Sequence, residues 1–258
     1  MLEISRKRYV FRVKEIWFSE YPFEVNDCDV VRFSECRNKV DLGGFTCRPF
    51  TTSIIDLTED LEKIRRSMSK SSCRYAIKRA ERDGVIVEIN RNYREFQEIN
   101  TSFRSAKRLS DYSKDLTNII KRHGVLFTAR YKGEILAGSA FLTDGDTIRW
   151  LVGASKRLQV DADRATLIGN ANKLIIWDAI KYAKTLGMKE FDMGGIYVGK
   201  YKDDQRYTIN KFKLGFGGEL KTYYDYQKVY SKLYNFALIV YQLKQAGVRA
   251  GGRRLTDS

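Results

Sequence analysis

Three strand-like runs in succession constrain the fold of this chain more than any other feature. They are Val125 to Tyr131, Glu134 to Thr143 and Asp146 to Gly153. The junctions between them are Lys132-Gly133 and Asp144-Gly145. A short junction with glycine second is what a tight hairpin demands, because its central positions need positive φ. The runs therefore read as an antiparallel meander. A long helix follows, roughly Arg164 to Leu186, with Ile168, Ala171, Ile175, Ala179, Tyr182 and Leu186 on one stripe. Gly187 closes it, and Glu190 to Met193 is a short strand ending at Gly194-Gly195. A helix crossing over from the meander's last strand to the next strand implies parallel pairing there. The expected class is α+β, a mixed sheet flanked by helices.

The rest of the chain fills in around this. Arg8 to Glu20 alternates, with Tyr9, Phe11 and Val13 on one face, and reads as one strand. Val30 and Val31 form a short apolar run, and no element is assignable from there to Thr52. Thr58 reads as the N-cap of a helix, with Glu59 and Asp60 complementing its positive end. Ser69 to Ser72 interrupts that helix, and a second stretch runs to Asp83, with Gly84 as its closing residue. Val85 to Ile89 is a strand and Tyr93 to Lys107 a helix. A short helix spans Thr208 to Leu214, and Leu220 to Tyr226 is a tyrosine-rich strand. A last helix lines up Val229, Leu233, Phe236, Val240 and Leu243, before a basic tail from Arg249 to Ser258.

Composition narrows the function classes. The formal net charge of the 258 residues is +15. So large a surplus points to an anionic partner such as nucleic acid, a phosphate-bearing substrate or a membrane surface, or else to a basic surface with no dedicated partner. The four cysteines form no CxxC pair and there is one histidine, which argues against a zinc site. The thiols read as free, in a reducing compartment. The first residues have no apolar signal core, and Phe236 to Tyr241 is far short of the ~20 residues that span a bilayer. The expectation is a cytoplasmic protein, touching a membrane at most from one face.

Three segments carry a family resemblance. IDLTEDLEKIRRSMSKSSCRYAIKRAERDGVIVEI, Ile55 to Ile89, contains a run of the form R-x-x-I-x-x-A-x-x-x-G before a strand. LIIWDAIKYAKTLGMKEFDMGGI, Leu174 to Ile196, pairs a long helix with a strand ending in an aspartate and two glycines. INKFKLGFGGEL, Ile209 to Leu220, contains F-K-x-x-F-G-G. In order and spacing they resemble the Fem family of peptidoglycan-bridge aminoacyltransferases, within the GNAT superfamily. The resemblance implies a short form: a truncated GNAT-like lobe with a basic helix over 1–90, and a GNAT-like acyltransferase domain over 91–258. It implies transfer of an aminoacyl or other acyl group to an amine of a cell-envelope precursor. No bound cofactor is implied. The donor is a co-substrate, aminoacyl-tRNA in the first instance. The implied partner is an anionic acceptor, a nucleotide- or lipid-linked cell-wall precursor, with charged tRNA beside it.

Two other readings stand next to this one. A GNAT enzyme could use acyl-CoA on an amino sugar or small amine. The loop expected to cradle its pyrophosphate is Lys156 to Asn170, whose only glycine, Gly169, falls inside the expected helix. A non-catalytic RNA-binding module would use the basic surface alone.

Acyl transfer to an amine passes through a tetrahedral oxyanion, and a fixed donor there is worth about 3 kcal/mol. Lys213 matches the family lysine assigned that role, beside Phe212 and Gly217; as residues alone they are equally a surface lysine, an apolar neighbour and a turn glycine. Asp192 could accept a proton from, or orient, the amine. An aspartate bonding nearby N–H groups of a turn is the commoner occurrence. Lys70, Arg74, Lys78 and Arg82 recur every four residues. If helical throughout they make one cationic stripe, with Arg74 and Lys78 holding acceptor phosphate, or else a solvated face. The lone His123 reads as favourable charge at a helix end. Tyr223, Tyr224, Tyr226 and Tyr230 could stack on bases or sugars, or pack on a sheet.

Overall fold

The computed structural model describes residues 1–109, 115–199 and 205–239. In chain order the strands are β1 (Leu2–Arg8), β2 (Phe11–Trp17), β3 (Val30–Cys36), β4 (Thr46–Asp56), β5 (Ile86–Ile89), β6 (Gly124–Tyr131), β7 (Glu134–Thr143), β8 (Thr147–Ser155), β9 (Glu190–Gly195) and β10 (Glu219–Val229). The helices are α1 (Leu61–Ser67), α2 (Tyr75–Arg82), α3 (Tyr93–Ala106), α4 (Leu116–His123), α5 (Ala162–Thr185), α6 (Gln205–Leu214) and α7 over 232–239. A π-helical turn, Lys70–Arg74, precedes α2, and a 3-10 turn, Lys156–Gln159, precedes α5. The chain divides into two compact units, Thr51–Thr222 and Met1–Phe50 with Tyr223–Ser258. The division does not fall at residue 90. Residues 51–90 belong to the larger unit because β5 pairs with β6 and α2 packs on α5.

In the Thr51–Thr222 unit the strand order is β4-β9-β8-β7-β6-β5. The meander β6-β7-β8 is antiparallel and the β8/β9 pair is parallel, as the crossover through α5 requires. At the first hairpin Lys132 and Gly133 both take positive φ, +48° and +83°. The second turn holds three residues rather than two. Gly145 takes φ +100°, and the Asp144 carboxylate accepts from the N–H groups of Asp146 (3.3 Å) and Thr147 (2.9 Å). Helices cover both faces of the meander. On one, α5 lays Ile168, Ala171, Ile175 and Ala179 against Phe127, Phe141 and Phe191, whose rings meet edge to face. Leu186 of the expected stripe is exposed, since α5 has ended at Thr185. On the other face α3 and α4 place Phe96, Ile99, Leu116 and Ile120 against Leu126, Ile135 and Ala140. This double cover is why β7 reads as a nearly continuous apolar run and not as an alternation.

Two expectations in this unit are corrected. Thr58 does not cap a helix: its N–H and hydroxyl both donate to Asp56, and α1 begins after Asp60. The basic stretch is not α-helical throughout. The carbonyl of Ser69 accepts from both Cys73 N and Arg74 N, at 3.0 Å each, which opens a π-turn. The four-residue spacing of Lys70, Arg74, Lys78 and Arg82 therefore does not trace one straight stripe. Arg74 is half-buried, whereas Lys78 and Arg82 are exposed.

The second unit carries β1-β2-β3-β10. β1/β2 and β3/β10 pair antiparallel and β2/β3 parallel. Its core is Ile16, Val31, Phe33, Cys36 and Tyr226. A smaller cluster of Val13, Val30 and Tyr234, with Phe11 and Leu238, seats α7. The single strand expected over Arg8 to Glu20 is a hairpin: Arg8 pairs with Phe11, and Tyr9 and Val10 form the turn between them. The unassigned segment before Thr52 holds β3 and the start of β4. Val229 ends β10 instead of opening the last helix. Val240, Leu243 and the basic tail lie outside the described residues. Packing accounts for three of the four tyrosines: Tyr226 is buried, its hydroxyl accepting from Val40 N (2.8 Å) and donating to Val40 O (3.0 Å), with Tyr224 and Tyr230 against the same core.

Candidate active site

The parallel ladder of β8 and β9 is short. It runs from Thr147 opposite Glu190 to Arg149 opposite Asp192 and stops. Beyond it β8 continues along β7 to Ser155, and β9 continues along β4 to Gly195 opposite Thr52. A bulge lies at this point on β8. Phe141 faces Trp150 and Ala140 faces Val152, so Leu151 is the extra residue. A bulge bends its strand and re-aims its side chains. Here it coincides with the end of the β8/β9 ladder.

The residues at this opening are tightly organised. Asp192 is only 1% exposed, and its Oδ1 accepts from the Thr52 hydroxyl and from Gly194 N at 2.6 Å. Gly194 takes φ +73°. A side chain there would stand 3.1 Å from the Trp150 carbonyl oxygen, 3.5 Å from Lys213 Nζ and 3.7 Å from Arg149 Nη2. Two cations thus converge on one glycine. The Lys213 ammonium donates to the Gly195 carbonyl at 2.8 Å and lies 5.5 Å from the centre of the Trp150 ring, a cation–π distance. Arg149 donates from Nη1 to the Trp150 carbonyl at 3.0 Å. The indole Nε1 of Trp150 is shut from water with no hydrogen-bond partner.

α6 holds Lys213 in place from two directions. Phe212 packs its ring on Trp150 (5.6 Å between centroids) and on the fully buried Phe216 (5.5 Å). Asn210, also buried, grips the backbone after β9. Its amide donates to Tyr197 O at 2.6 Å and its carbonyl accepts from Tyr197 N at 2.9 Å. The aromatic wall and the amide clamp make the lysine a preorganised donor instead of a freely rotating one.

The site therefore brings together Lys213, Asp192 and Phe212 of the residues singled out in the sequence. Gly217 is glycine for a different reason than room for a ligand. It takes φ +80°, and a Cβ would stand 2.5 Å from Ser67 Oγ and 2.6 Å from Ser67 O. Arg74 and Lys78 lie on the π-turn and α2. Arg74 Nε is buried with no hydrogen-bond partner, and Lys78 is exposed. The π-turn is tied to its surroundings by Ser69 N donating to Gly215 O (2.9 Å) and by Lys173 Nζ donating to Ser72 O (3.0 Å). Burial, with the nearby Arg157 as a smaller contribution, pulls the Lys173 ammonium below its ordinary pKa. His123 is the last residue of α4, as expected of a histidine at a helix end. Sequence reasoning missed Arg149, Trp150, Thr52 and Asn210. Their roles come from the bulge and from contacts between distant strands, and no local pattern announces either.

The start of α5 is already occupied. The Asp161 carboxylate accepts from Arg164 N at 2.9 Å, and Asp163 sits in the first turn. Two carboxylates there oppose an anionic ligand at the helix N-terminus. Glu134 holds the flanking cations, accepting from Lys156 at 2.8 Å and from Arg164. The Lys156 bond, foremost, brings the Glu134 carboxyl below its usual pKa range, against a smaller upward push from burial. Among the described residues no group of three or more His, Cys, Asp or Glu side chains could hold a metal, and no helix is long and apolar enough to cross a membrane.

Comparison with known proteins bears on the family and the fold. Residues 65–207 match the family model described as an acetyltransferase (GNAT) domain. No curated protein matches the chain in sequence. Among solved structures, FemX superposes with a TM-score of 0.64 at 14% identity, covering 92% of this chain and 86% of that one. L-PGS from Bacillus licheniformis gives 0.53 at 14%, covering 83% and 72%. The C-terminal domain of a putative lysylphosphatidylglycerol synthetase from Agrobacterium fabrum gives 0.50 at 11%, covering 77% and 68%. At these identities the likeness is one of fold: a mixed sheet flanked by helices, GNAT-like and similar to FemX.

Proposed function

We propose that this chain, which belongs to the acetyltransferase (GNAT) domain family, is an N-acyltransferase that moves an aminoacyl group onto an amine of a cell-envelope precursor. The observation that carries the reading is the Lys213 ammonium, held at Gly194-Gly195 where the β8/β9 ladder ends. The amine nitrogen attacks the acyl carbonyl carbon, forming the C–N bond and placing negative charge on the carbonyl oxygen. The ester C–O bond then breaks, and the leaving hydroxyl takes the proton the amine gives up. A positioned cation lowers the barrier because the charge it meets exists only in the transition state. Asp192 acts as a positioning residue, since its bonds to Gly194 N and Thr52 fix the turn that Lys213 grips. Phe212 and Trp150 pack on each other and form the aromatic wall beside which the Lys213 ammonium lies.

Two observations favour an aminoacyl donor over acyl-CoA. Asp161 closes the α5 N-terminus, where a pyrophosphate would seek N–H donors. The fold likeness includes a protein named for lysylphosphatidylglycerol synthesis, a name that couples an amino acid to an anionic lipid. In this reading the acceptor is anionic, a lipid- or nucleotide-linked precursor, and Arg74 and Lys78 serve its phosphate.

The test offers candidate amines with charged tRNA in one series and acyl-CoA in another. Transfer from tRNA alone is expected, and turnover with acyl-CoA alone would replace the donor. Lys213→Met keeps the stem and removes the charge. It should lower kcat on the order of a hundredfold with a much smaller change in KM and little change in melting temperature. Full activity in this variant would remove Lys213 from the chemistry.

A further inference from the structure

The tip of the β1/β2 hairpin is built against the ordinary rules of a turn. Its two residues are Tyr9 and Val10, 88% and 70% exposed. Tyr9 takes φ +56°, a left-handed conformation that glycine or asparagine adopts at least cost. A large aromatic at this position neither eases the turn nor fills a core. The flanking side chains are basic: Lys7, Arg8 and Arg12 are all exposed, and Arg12 pairs with Asp29 at 3.9 Å.

The hairpin packs against the inner side of α7, a helix of the same unit that also carries exposed apolar residues. Phe11, the first residue of β2, meets Tyr234 of α7 edge to face with ring centroids 5.0 Å apart. Tyr234 and Leu238 anchor the inner side of α7. The outer side presents Leu233 and Phe236, 62% and 65% exposed, beside the exposed Lys232. A helix with one face buried on its own unit and large apolar residues on the other is unusual for a surface in water. Exposed aromatic and aliphatic side chains rimmed by Lys and Arg are the composition of an interfacial anchor. The apolar groups enter the boundary between headgroups and acyl chains while the cations meet lipid phosphate.

We infer that the Tyr9-Val10 hairpin tip and the outer face of α7 together form a docking surface for an anionic lipid bilayer. Charge selects this occupant. The rim is cationic, and the chain as a whole carries +15, a total that includes Lys244, Arg249, Arg253 and Arg254. A second copy, or the chain's own terminal residues, would bring like charge to the same rim. The surface goes beyond the catalytic reading, and its test requires no turnover.

The experiment is co-sedimentation of the full chain with vesicles of phosphatidylcholine alone and of phosphatidylcholine with phosphatidylglycerol, at low and high salt. Binding to the phosphatidylglycerol vesicles, weakened by salt, is expected. Tyr9→Gly combined with Val10→Ser should reduce it on the order of tenfold or more. The same change should leave the melting temperature equal or higher, because glycine relieves the left-handed φ. Leu233→Ser with Phe236→Ser should reduce binding likewise, and Lys7→Ser with Arg8→Ser should weaken the preference for the anionic vesicles on the order of tenfold. Equal binding to both vesicle types, or unchanged binding in the two apolar variants, would overturn the inference. So would conversion of a wild-type dimer to a monomer by Leu233→Ser with Phe236→Ser, or vesicle binding that rises when residues 240–258 are deleted. These would assign the face to a second copy or to the chain's own terminus.

Discussion

At the scale of single residues, Asp192 has the sharpest consequence. Its Oδ1 takes two donors in a site closed to water, Gly194 N–H and the Thr52 hydroxyl. Asp192→Ala would leave both buried donors without an acceptor and should cost about 1–3 kcal/mol of unfolding free energy. Asp192→Asn keeps an acceptor oxygen and should cost distinctly less. Urea titration of both variants checks this, and equal losses would mean that the charge and not the acceptor matters. Lys213 and Asp192 are legible in the sequence because each sits in a short pattern with glycines. Arg149 and Trp150 are not, because a strand residue gains its role here from a bulge that no local pattern announces. Gly217 shows the converse. Its glycine is visible in the sequence, but the reason for it, the backbone of Ser67, lies far back along the chain.

At the scale of elements, local rules suffice where the element makes its own case. The meander, α3, α5 and the β8–α5–β9 crossover follow from turn glycines, periodicity and connection length, and the structure has all of them. The hairpin at Tyr9-Val10 is invisible to such rules because it lacks a turn residue. The π-turn is invisible because Gly215, remote in sequence, accepts the Ser69 N–H that begins it. Periodicity places the start of α5 late, and its cap is Asp161. Since that carboxylate meets Arg164 N at 2.9 Å, Asp161→Ala should destabilise the protein by about 1 kcal/mol. Thermal unfolding measures it. A variant as stable as the parent would mean that water replaces the cap without loss, and the helix start would then be open to phosphate.

At the scale of the whole molecule, the thiols set a pH limit. Burial pushes Cys36 up to about 12, and burial likewise raises Cys28 and Cys73. A group whose folded pKa is raised holds its proton more tightly in the native state. The stability it contributes is complete below the unfolded thiol pKa, about 9, and is lost as pH rises toward the folded value. Unfolding free energy should therefore fall between about pH 9 and about pH 12, and less steeply in Cys36→Ala. The same arrangement predicts that exposed Cys47 alone reacts quickly with a thiol reagent in the native protein, while Cys28, Cys36 and Cys73 wait for unfolding. A parallel slope in the variant would assign the alkaline loss to other groups.

One unit is assembled from two stretches far apart in the chain, and this bears on biosynthesis. β3 finds one neighbour, β2, within its own stretch, and its other neighbour, β10, only at Glu219–Val229. On the ribosome the second edge of β3 stays unpaired while the whole Thr51–Thr222 unit is translated, roughly ten to thirty seconds at ordinary elongation rates. The larger unit has every strand of its own sheet by then and can close first. The nascent amino-terminal strands, with Val31 and Phe33 still lacking Tyr226, are the segment that a ribosome-bound chaperone would have to shield until the last strand emerges.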